Sequence, residues 1–375
     1  MLASAASALL LIALPAQAQS GRTLDFGRLE AHFAAACASS DFSGVVAVVQ
    51  HGKPAFQHVC GDADPANGVA NTLDTRFKIF STSKYLTAIA VLRSSELGVM
   101  TLDAPISTYV QNTPTSWSGV TVRNLLNHTS GLPDLTEEML KRFDKDHPSA
   151  MRATLASLSA QELDPLQAAG ADYRYNNFGF ELLAEAAANA WNKPFDATMK
   201  DLVFDPAGMT TDSVEKPNMV ARHPVAVQED GLAIGFNGAP GKLQQAENWA
   251  FVQLGAGAVR ASLADMIALD RALAEHRLLT PESLSEMRRS PVVSREGQAV
   301  VGERGYGLGV VISQAAGLTL VGHSGGTNGY IADFEQAPDH DAALIILTNR
   351  GFTALAPIRK LFGELFTGGQ IATGS

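Results

Sequence analysis

Residues 77–86 read FKIFSTSKYL, and the organisation of the whole chain follows from this stretch. The residues after it, as far as Leu97, are largely apolar and include neither proline nor glycine, and Gly98 ends the run. This pattern predicts a helix that begins at Ser81 and is buried on most of its faces. Because Lys84 stands one helical turn after Ser81, the two side chains lie on the same face, ~5–6 Å apart at Cβ.

Ser81 and Lys84 are therefore candidates for a nucleophile and its base. Burial and the positive end of a helix both disfavour a charged ammonium, so Lys84 can be partly neutral and accept the proton of the Ser81 hydroxyl. The alternative is a serine at the N-cap of a helix followed by a solvated lysine. These residues alone do not decide between the two interpretations.

The composition describes an acidic protein of ordinary hydrophobicity. The 375 residues include 38 acidic and 28 basic side chains, which gives a formal net charge of −10. This charge argues against nucleic acid and against anionic membrane surfaces as partners. Beyond the N-terminal segment, no apolar run is long enough to span a membrane. The length suits one large domain or two interleaved domains.

Residues 1–18 have the features of a secretory signal peptide. Residues 8–14 are apolar, and the small residues of the Ala-Gln-Ala sequence at 16–18 predict cleavage after Ala18. The basic residues that usually begin such a peptide are missing, and no cysteine follows the expected cleavage site to carry a lipid anchor. We expect the mature protein to be periplasmic or secreted.

The two cysteines, Cys37 and Cys60, can pair in an oxidising compartment. Cys37 ends a predicted helix, and Cys60 ends the second strand of a predicted hairpin, whose return brings it close to the end of that helix. A disulfide and two buried thiols both fit this pattern. His58 alternates with Cys60 on the strand and is interpreted as an ordinary strand residue, so no metal site and no cofactor are predicted.

Strands are predicted at both ends of the chain, and helices in the middle. The predicted strands are 43–50, 54–60, 306–313, 319–322, 330–336 and 343–348; the predicted helices are 24–38, 81–97, 122–126, 135–163, 180–191 and 354–366, with another from Ser262. Asp265 completes a capping box with Ser262. Residues 218–249, rich in glycine and proline, are predicted to form a lid loop with little regular structure.

This order predicts an α/β (α+β) fold. An antiparallel sheet flanked by helices is expected to form from both termini, residues 19–80 and 250–375, with a mainly helical domain at 81–249 inserted between them. We expect the active site to lie between the two domains.

Three motifs, in order along the chain, resemble the serine β-lactamase and penicillin-binding-protein superfamily. They are Ser81-Thr82-Ser83-Lys84, Tyr175-Asn176-Asn177 and His323-Ser324-Gly325-Gly326. The pattern is most similar to the class C β-lactamase-like branch, which includes the family VIII esterases. Shorter stretches at 125–132 and 206–209 also resemble that branch, and the resemblance extends over residues 44–366. It implies the β-lactamase/transpeptidase-like form of the predicted fold.

The resemblance implies a role for each motif residue. Ser81 would form an acyl-enzyme with Lys84 as its base, and Tyr175 would relay a proton to the leaving group. Asn177 would hold Lys84 and donate to the substrate's carbonyl or side-chain amide. The backbone N–H groups of Ser81 and Gly326 would form the oxyanion hole.

His323, Ser324 and Gly325 stand where β-lactamases have Lys-Thr-Gly, and the resemblance places them against the substrate. The family's lysine is a fixed cation near the carboxylate of penicillins and cephalosporins, whereas a histidine of ordinary pKa is mostly neutral at pH 7. This departure argues against efficient β-lactamase activity. A histidine here resembles the esterases and D-amino-acid peptidases of the same branch.

We therefore expect an exported serine hydrolase whose substrates are small esters or amides. Two alternatives within the same chemistry are a D-stereospecific peptidase or carboxypeptidase, which would take a peptide substrate, and a β-lactamase. A third alternative, from another class, is a non-catalytic relative that binds peptidoglycan.

Residues 322–326 also match Gly-x-Ser-x-Gly, the nucleophile elbow of α/β-hydrolases. That elbow needs a helix after the serine, followed downstream by an acid and then a histidine. Here a strand is predicted to follow, and the only later histidine, His340, lies in a predicted turn between strands. Ser324 is therefore not expected to be the nucleophile. His128 is expected to form hydrogen bonds at a helix end and to take no part in catalysis.

Overall fold

The computed structural model describes residues 24–136, 155–210, 213–214, 231–246, 254–289, 292, 305–327 and 329–368. The predicted signal peptide lies outside the described residues, as does most of the predicted helix at 135–163. Among the described residues, no helix is both long and apolar enough to cross a membrane.

The strands in the described part of the chain fall into one large sheet and three small ones. In chain order they are β1 Gly44–Gln50, β2 Lys53–Cys60, β3 Asp62–Asp64, β4 Val69–Ala70, β5 Phe77–Lys78, β6 Ser213–Val214, β7 Phe236–Asn237, β8 Gln244–Gln245, β9 Val259–Ala261, β10 Gly305–Tyr306, β11 Val311–Ala315, β12 Leu318–Thr327, β13 Tyr330–Ala337 and β14 Ala342–Thr348. The large sheet is antiparallel and has the order β10-β11-β12-β13-β14-β1-β2.

The α-helices among the described residues flank this sheet or lie between its two halves in the chain. They are α1 Gly27–Ala38, α2 Ser83–Glu96, α3 Val122–Leu126, α4 Ala160–Leu163, α5 Asn177–Trp191, α6 Phe195–Met199, α7 Asp205–Ala207, α8 Leu254–Gly257, α9 Leu263–Ala274, α10 Pro281–Arg288 and α11 Leu355–Thr367. The predicted fold class, an antiparallel sheet flanked by helices and formed from both termini, is confirmed. The exact domain boundaries stay predictions.

β1 shows why the central strands are apolar along their whole length. Val45, Ala47 and Val49 belong to the hydrophobic cluster that includes α2, whereas Val46 and Val48 belong to the cluster that includes α1 and α11. Helices cover both faces of the sheet, so the alternation of apolar and polar residues that marks a half-exposed strand is absent here.

The helix that carries the first motif is buried at almost every position. The 3₁₀ turn Phe80–Thr82 leads directly into α2, in which each residue from Ser83 to Leu92 is buried. The prediction of a helix buried on most faces is confirmed, with the difference that its first turn is 3₁₀.

The structure departs from the predicted strands in two places. The predicted strand at 306–313 is interrupted, because Gly309 has a φ of 76° and packs where a Cβ would lie 2.3 Å from the Cβ of Ala88 on α2. The predicted strand at 319–322 continues to Thr327, so the third motif lies within β12. The predicted strands had left residues 323–329 between them.

The described part of the predicted lid, residues 231–246, has more regular structure than expected. It contains the small antiparallel sheet of β7 and β8. It is also tied to the body of the protein, because Ala233 N donates to Arg76 O at 2.9 Å and Tyr330 Oη donates to Ala233 O at 2.7 Å.

Cys37 and Cys60 are joined by a disulfide, with their Cα atoms 6.2 Å apart. The bond connects the C-terminal end of α1 to the end of β2. The sequence left open a disulfide and two buried thiols, and the structure has the disulfide.

β13 carries two buried acids on one face, Asp333 and Glu335, and both side chains are fully buried. Arg359 of α11 contacts Asp333 at 2.5 Å and Glu335 at 2.6 Å. One partly exposed cation therefore faces two carboxyl groups that water does not reach. Burial and the neighbouring Asp333 raise the pKa of Glu335 above its ordinary value, which favours its protonated form.

This raised pKa predicts how stability depends on pH. Between the ordinary value of 4.5 and the folded pKa, the folded protein holds a proton on Glu335 that the unfolded chain has lost. Stability should therefore fall as the pH rises through this window.

Glu335→Gln removes the titration but keeps an acceptor for Arg359. Its melting temperature should fall less than that of the wild type between about pH 5 and about pH 8. Asp339→Asn, in an exposed turn, is the control, and an equal fall in the Glu335 variant would refute the assignment.

Candidate active site

Ser81 is partly exposed at the centre of the 3₁₀ turn that precedes α2. Phe80, the residue before it, has a φ of 43°, in the left-handed region that a non-glycine residue seldom adopts. The Ile79 N–H donates to β9, and the Thr82 N–H donates to Ile79 O at 3.1 Å. Strain of this kind persists only where surrounding contacts enforce it, and it is common at functional sites.

Lys84 is fully buried beneath Ser81. Its Nζ lies 3.2 Å from Ser81 Oγ, 2.8 Å from Asn177 Oδ1 and 3.0 Å from Ala256 O. Burial lowers the pKa of Lys84 to about 7, and the charges of Glu181 and Asp134 oppose this shift. A substantial fraction of the lysine is therefore neutral near neutral pH.

The three contacts determine what a neutral Lys84 can do. A neutral amine has two N–H bonds and one lone pair. Asn177 Oδ1 and Ala256 O can only accept, so they take the two N–H bonds. The lone pair is then left facing Ser81 Oγ, where it can accept the hydroxyl proton. The geometry thus suits Lys84 to act as a general base.

Tyr175 completes the group around the serine. Its ring centroid lies 5.0 Å from Lys84 Nζ, and the Ser81 side chain is near enough to its hydroxyl to favour the charged form of the phenol. Burial is the main cause that raises the pKa of Tyr175 well above its usual range. The phenol therefore keeps its proton at neutral pH, so it is suited to pass protons along the network and not to act as a phenolate base.

Asn177 is oriented by an acid that the sequence analysis missed. Its Nδ2 donates to Asp134 Oδ2 at 3.1 Å, which directs the amide oxygen toward Lys84. Asp134 Oδ1 also accepts from Phe178 N at 2.9 Å, in the first turn of α5. The second motif, predicted to precede a helix from residue 180, therefore stands at the start of that helix.

His323 is buried and does not point toward solvent. Its Nδ1 lies 2.6 Å from Ser324 O and its Nε2 lies 3.0 Å from Tyr306 Oη. Since Ser324 O can only accept, Nδ1 carries the proton and Nε2 accepts from the Tyr306 hydroxyl. Burial lowers the pKa of His323 to about 3, so the ring is neutral, as expected. Both ring nitrogens already have partners within the protein, so neither is free for a substrate.

His128 supports the second motif from behind. It is buried, and its Nδ1 accepts a hydrogen bond from Asn176 N at 3.2 Å. Its ring centroid lies 4.4 Å from that of Tyr175 and 4.5 Å from that of Tyr306. The hydrogen bond agrees with the prediction that His128 forms hydrogen bonds at a helix end.

Gly325 brings β12 against the turn that holds Ser81. A Cβ on Gly325 would lie 2.0 Å from Ile79 O and 2.7 Å from Ser81 N, so only glycine permits this approach. The next residue, Gly326, is exposed. The structure therefore brings the backbone of the third motif beside the Ser81 N–H, as an oxyanion hole made of the Ser81 and Gly326 N–H groups requires.

A comparison with the profiles of known protein families matches residues 29–362 to the family described as Beta-lactamase. The match extends over most of the chain and includes all three motifs. The chain belongs to the Beta-lactamase family.

Curated proteins that are similar to this chain in sequence include penicillin-binding proteins and peptidases. The chain is 26% identical over 316 residues to penicillin-binding protein 4* of Bacillus subtilis, with 82% of this chain and 68% of the relative covered. It is 28% identical over 314 residues to a D-aminopeptidase of Brucella anthropi, with 82% of this chain and 56% of the relative covered.

Solved structures show the same fold. A D-amino acid amidase from Ochrobactrum anthropi, complexed with D-phenylalanine, has a TM-score of 0.73 at 22% identity, with 92% of this chain and 98% of that chain covered. A penicillin-binding protein from Bacillus halodurans has a TM-score of 0.72 at 24% identity, with 88% of this chain and 99% of that chain covered.

Within the Beta-lactamase fold, Ser324 does not have the surroundings of a nucleophile elbow. It lies inside β12, and β13 begins at Tyr330, so a strand and not a helix follows it. His340 lies in the 3₁₀ turn Pro338–His340, where its ring packs against Phe366. The rejection of Ser324 as the nucleophile agrees with this geometry.

The structure also adds Glu181, a buried acid of α5 that sequence reasoning passed over. Its carboxylate accepts from Ala256 N at 2.9 Å and so holds α8, whose Ala256 O contacts Lys84. Burial raises the pKa of Glu181 to about 8. In the sequence, Glu181 is one of two acids in the predicted helix 180–191, and nothing local distinguishes it from Glu185.

Glu181→Gln is predicted to shift the pH dependence of catalysis. Burial raises the pKa of Glu181 to about 8, so this acid is charged mainly above that pH, where its negative charge raises the pKa of Lys84 and opposes the neutral, basic form of the lysine. Glutamine removes this charge, so kcat/KM of the variant should persist to higher pH than that of the wild type, whereas the acid limb should stay in place. Glu185→Gln, one turn further along α5, is the matched control and should have the pH profile of the wild type. An alkaline limb that stays in place or moves to lower pH in the Glu181 variant would contradict the assignment.

Proposed function

We propose that this member of the Beta-lactamase family is a serine hydrolase that forms an acyl-enzyme on Ser81 and acts on small esters or amides. The observation that carries the proposal is the buried, partly neutral Lys84, whose two acceptor contacts leave its lone pair facing Ser81 Oγ. A lysine with a purely structural role does not require a lone pair directed at a serine hydroxyl. The predicted signal peptide supports export to the periplasm or beyond, as a further part of the proposal.

In the first half of the reaction, Ser81 Oγ attacks the carbonyl carbon as its proton moves to Lys84 Nζ. The carbonyl oxygen becomes an oxyanion, which the N–H groups of Ser81 and Gly326 stabilise. When the bond to the leaving group breaks, the Tyr175 hydroxyl gives its proton to the departing alcohol or amine and regains one from Lys84. The acyl group remains on Ser81 as an ester.

In the second half, a water molecule attacks the acyl ester and Tyr175 and Lys84 accept its proton. The same two N–H groups stabilise the second oxyanion. As the acyl bond breaks, the proton returns to Ser81 Oγ, which frees the carboxylic acid and restores the enzyme. The network thus acts as base and then acid in each half.

The preference for uncharged substrates is supported by the third motif. His323 is neutral and buried, and both of its nitrogens are engaged, so it offers no cation to a substrate carboxylate. A missing charge-assisted hydrogen bond costs about 1.5–3 kcal/mol, or roughly a tenfold to hundredfold loss of recognition. A neutral ester does not depend on that contact, whereas a penicillin or cephalosporin does.

A second candidate is a hydrolase of D-amino-acid amides or peptides. Asp134 is partly exposed beside Asn177 and could pair with the free ammonium of such a substrate. Relatives that carry the names D-aminopeptidase and D-amino acid amidase add support. This candidate shares the acyl-enzyme mechanism and differs only in what the site recognises.

The nucleophile is tested by covalent labelling. A fluorophosphonate probe should label the wild type on Ser81, and Ser81→Ala should abolish both labelling and turnover. Ser324→Ala, the matched control, should keep measurable labelling because Ser324 lies outside the Lys84 contacts. An adduct found on Ser324 by peptide mass spectrometry would refute the proposal. Absence of any label and any turnover in the folded wild type would instead favour a non-catalytic relative.

A substrate panel distinguishes the candidates. We expect kcat/KM for p-nitrophenyl acetate or butyrate to exceed that for nitrocefin by tenfold or more, an order of magnitude based on the lost charged contact. Comparison of D-alanine and L-alanine p-nitroanilides tests the second candidate. Asp134→Asn should lower kcat/KM for D-alanine p-nitroanilide more than kcat/KM for the esters. Faster hydrolysis of nitrocefin than of the esters would show that the inference from His323 is wrong.

A further inference from the structure

Three side chains of metal-ligand type meet far from Ser81, where α1 ends against β2. Cys37 Sγ, Cys60 Sγ and a ring nitrogen of His58 all lie within 4.8 Å of one another. His58 pairs with Val46 across the sheet, and Val46 packs in the cluster of α1 and α11. Directly opposed residues share a face of a sheet, so this group lies on the face away from α2.

His58 is held in an orientation that suits a ligand. Its Nδ1 lies 3.4 Å from Glu30 Oε2, and its ring stacks on Phe33 with centroids 5.8 Å apart. A carboxylate accepts the Nδ1 proton and so leaves the lone pair on Nε2. That nitrogen lies 3.4 Å from Cys37 Sγ. A carboxylate that orients a histidine toward a metal is a recurring second layer of zinc sites.

In the oxidised protein this lone pair faces a sulfur that has no proton to give. A disulfide sulfur cannot donate a hydrogen bond, so the contact between His58 Nε2 and Cys37 Sγ satisfies neither atom. Reduction changes this. A dithiol or phosphine reductant supplies two electrons, two protons are taken up, the S–S bond breaks, and two thiols result.

We propose that Cys37, Cys60 and His58 bind a soft divalent cation such as Zn²⁺ when the disulfide is reduced. Two thiolates and one imidazole are ligands that zinc prefers and that Mg²⁺ and Ca²⁺ do not. Metal binding releases the two thiol protons, and a water molecule fills the fourth position, which is open because the site is partly exposed.

The distances fit with little rearrangement. A tetrahedral zinc ion with Zn–S of ~2.3 Å and Zn–N of ~2.0–2.1 Å places a sulfur and a nitrogen ligand about 3.5 Å apart. His58 Nε2 and Cys37 Sγ already lie 3.4 Å apart. The two sulfurs must move apart once their bond is broken, which rotation of two partly exposed side chains allows. The junction of α1 and β2 is then held by the disulfide or by the metal, but never by both.

Cobalt serves as the probe. The purified full chain is reduced with a phosphine, freed of reductant without oxygen, and titrated with Co²⁺. The reduced wild type should bind one Co²⁺ with a thiolate-to-cobalt charge-transfer band, and Zn²⁺ should displace it.

His58→Ala should weaken Co²⁺ binding by tenfold or more, and Glu30→Gln by about 10- to 100-fold, as for other second-layer carboxylates. His51→Ala, on the same hairpin, should bind as the wild type does. The oxidised protein should show no band.

The proposal is overturned if the reduced wild type shows no charge-transfer band, or if His58→Ala binds Co²⁺ as tightly as the wild type. The unfolding temperature gives a second measurement. Zn²⁺ should raise that of the reduced wild type but not that of reduced His58→Ala. If the reduced chain unfolds without metal, Zn²⁺ should refold the wild type but not the His58 variant. Failure to refold the wild type also overturns the proposal.

Discussion

The burial of the Lys84 amine is the constraint on which the rest of the site depends. A buried ammonium is costly unless it is paired, and this pocket offers carbonyl and amide oxygens together with Glu181. Because burial lowers the pKa of Lys84 to about 7 and raises that of Glu181 to about 8, the two groups are mostly neutral between these values. The site therefore holds a potential base that carries no charge. This is possible only because α5, α8 and the sheet exclude water from around α2.

That exclusion requires close backbone approaches from two sides, and glycine makes both possible. Gly325 lets β12 come against the turn of Ser81, and Gly309 lets the preceding segment come against Ala88 of α2. Larger residues at these positions would push the two segments away and let water reach Lys84. The same approach by Gly325 brings the backbone of β12 beside the Ser81 N–H, as the proposed oxyanion hole requires. The glycines of this region thus serve packing, although in the sequence they resemble turn residues.

This difference shows how far the sequence alone could lead. The buried helix, the N-terminal hairpin, the C-terminal strands and the three ordered motifs could all be predicted, because each depends on neighbouring residues or on a recognisable pattern. The contacts of Asp134, Glu181 and Tyr306 could not, because each joins segments far apart in the chain and its importance appears only after folding. The extent of β12 was missed because glycine has the same local preferences in a turn and in a tightly packed strand. For His323 the sequence showed the residue type but not that both ring nitrogens would be occupied.

The buried histidine has a further consequence for the charge of the site. Burial, and after it the charge of Lys84, lower the pKa of His323, since two cations in one buried region repel strongly. With both groups neutral, an oxyanion formed in the proposed mechanism would be stabilised by backbone N–H groups and by the N-terminal end of α2. A substrate that brings its own negative charge would gain nothing from either side chain and would lose its hydration. In the proposed function, the same neutrality that suits Lys84 to act as a base would also disfavour negatively charged acyl groups, so the basicity of the site and its proposed specificity would have one physical origin.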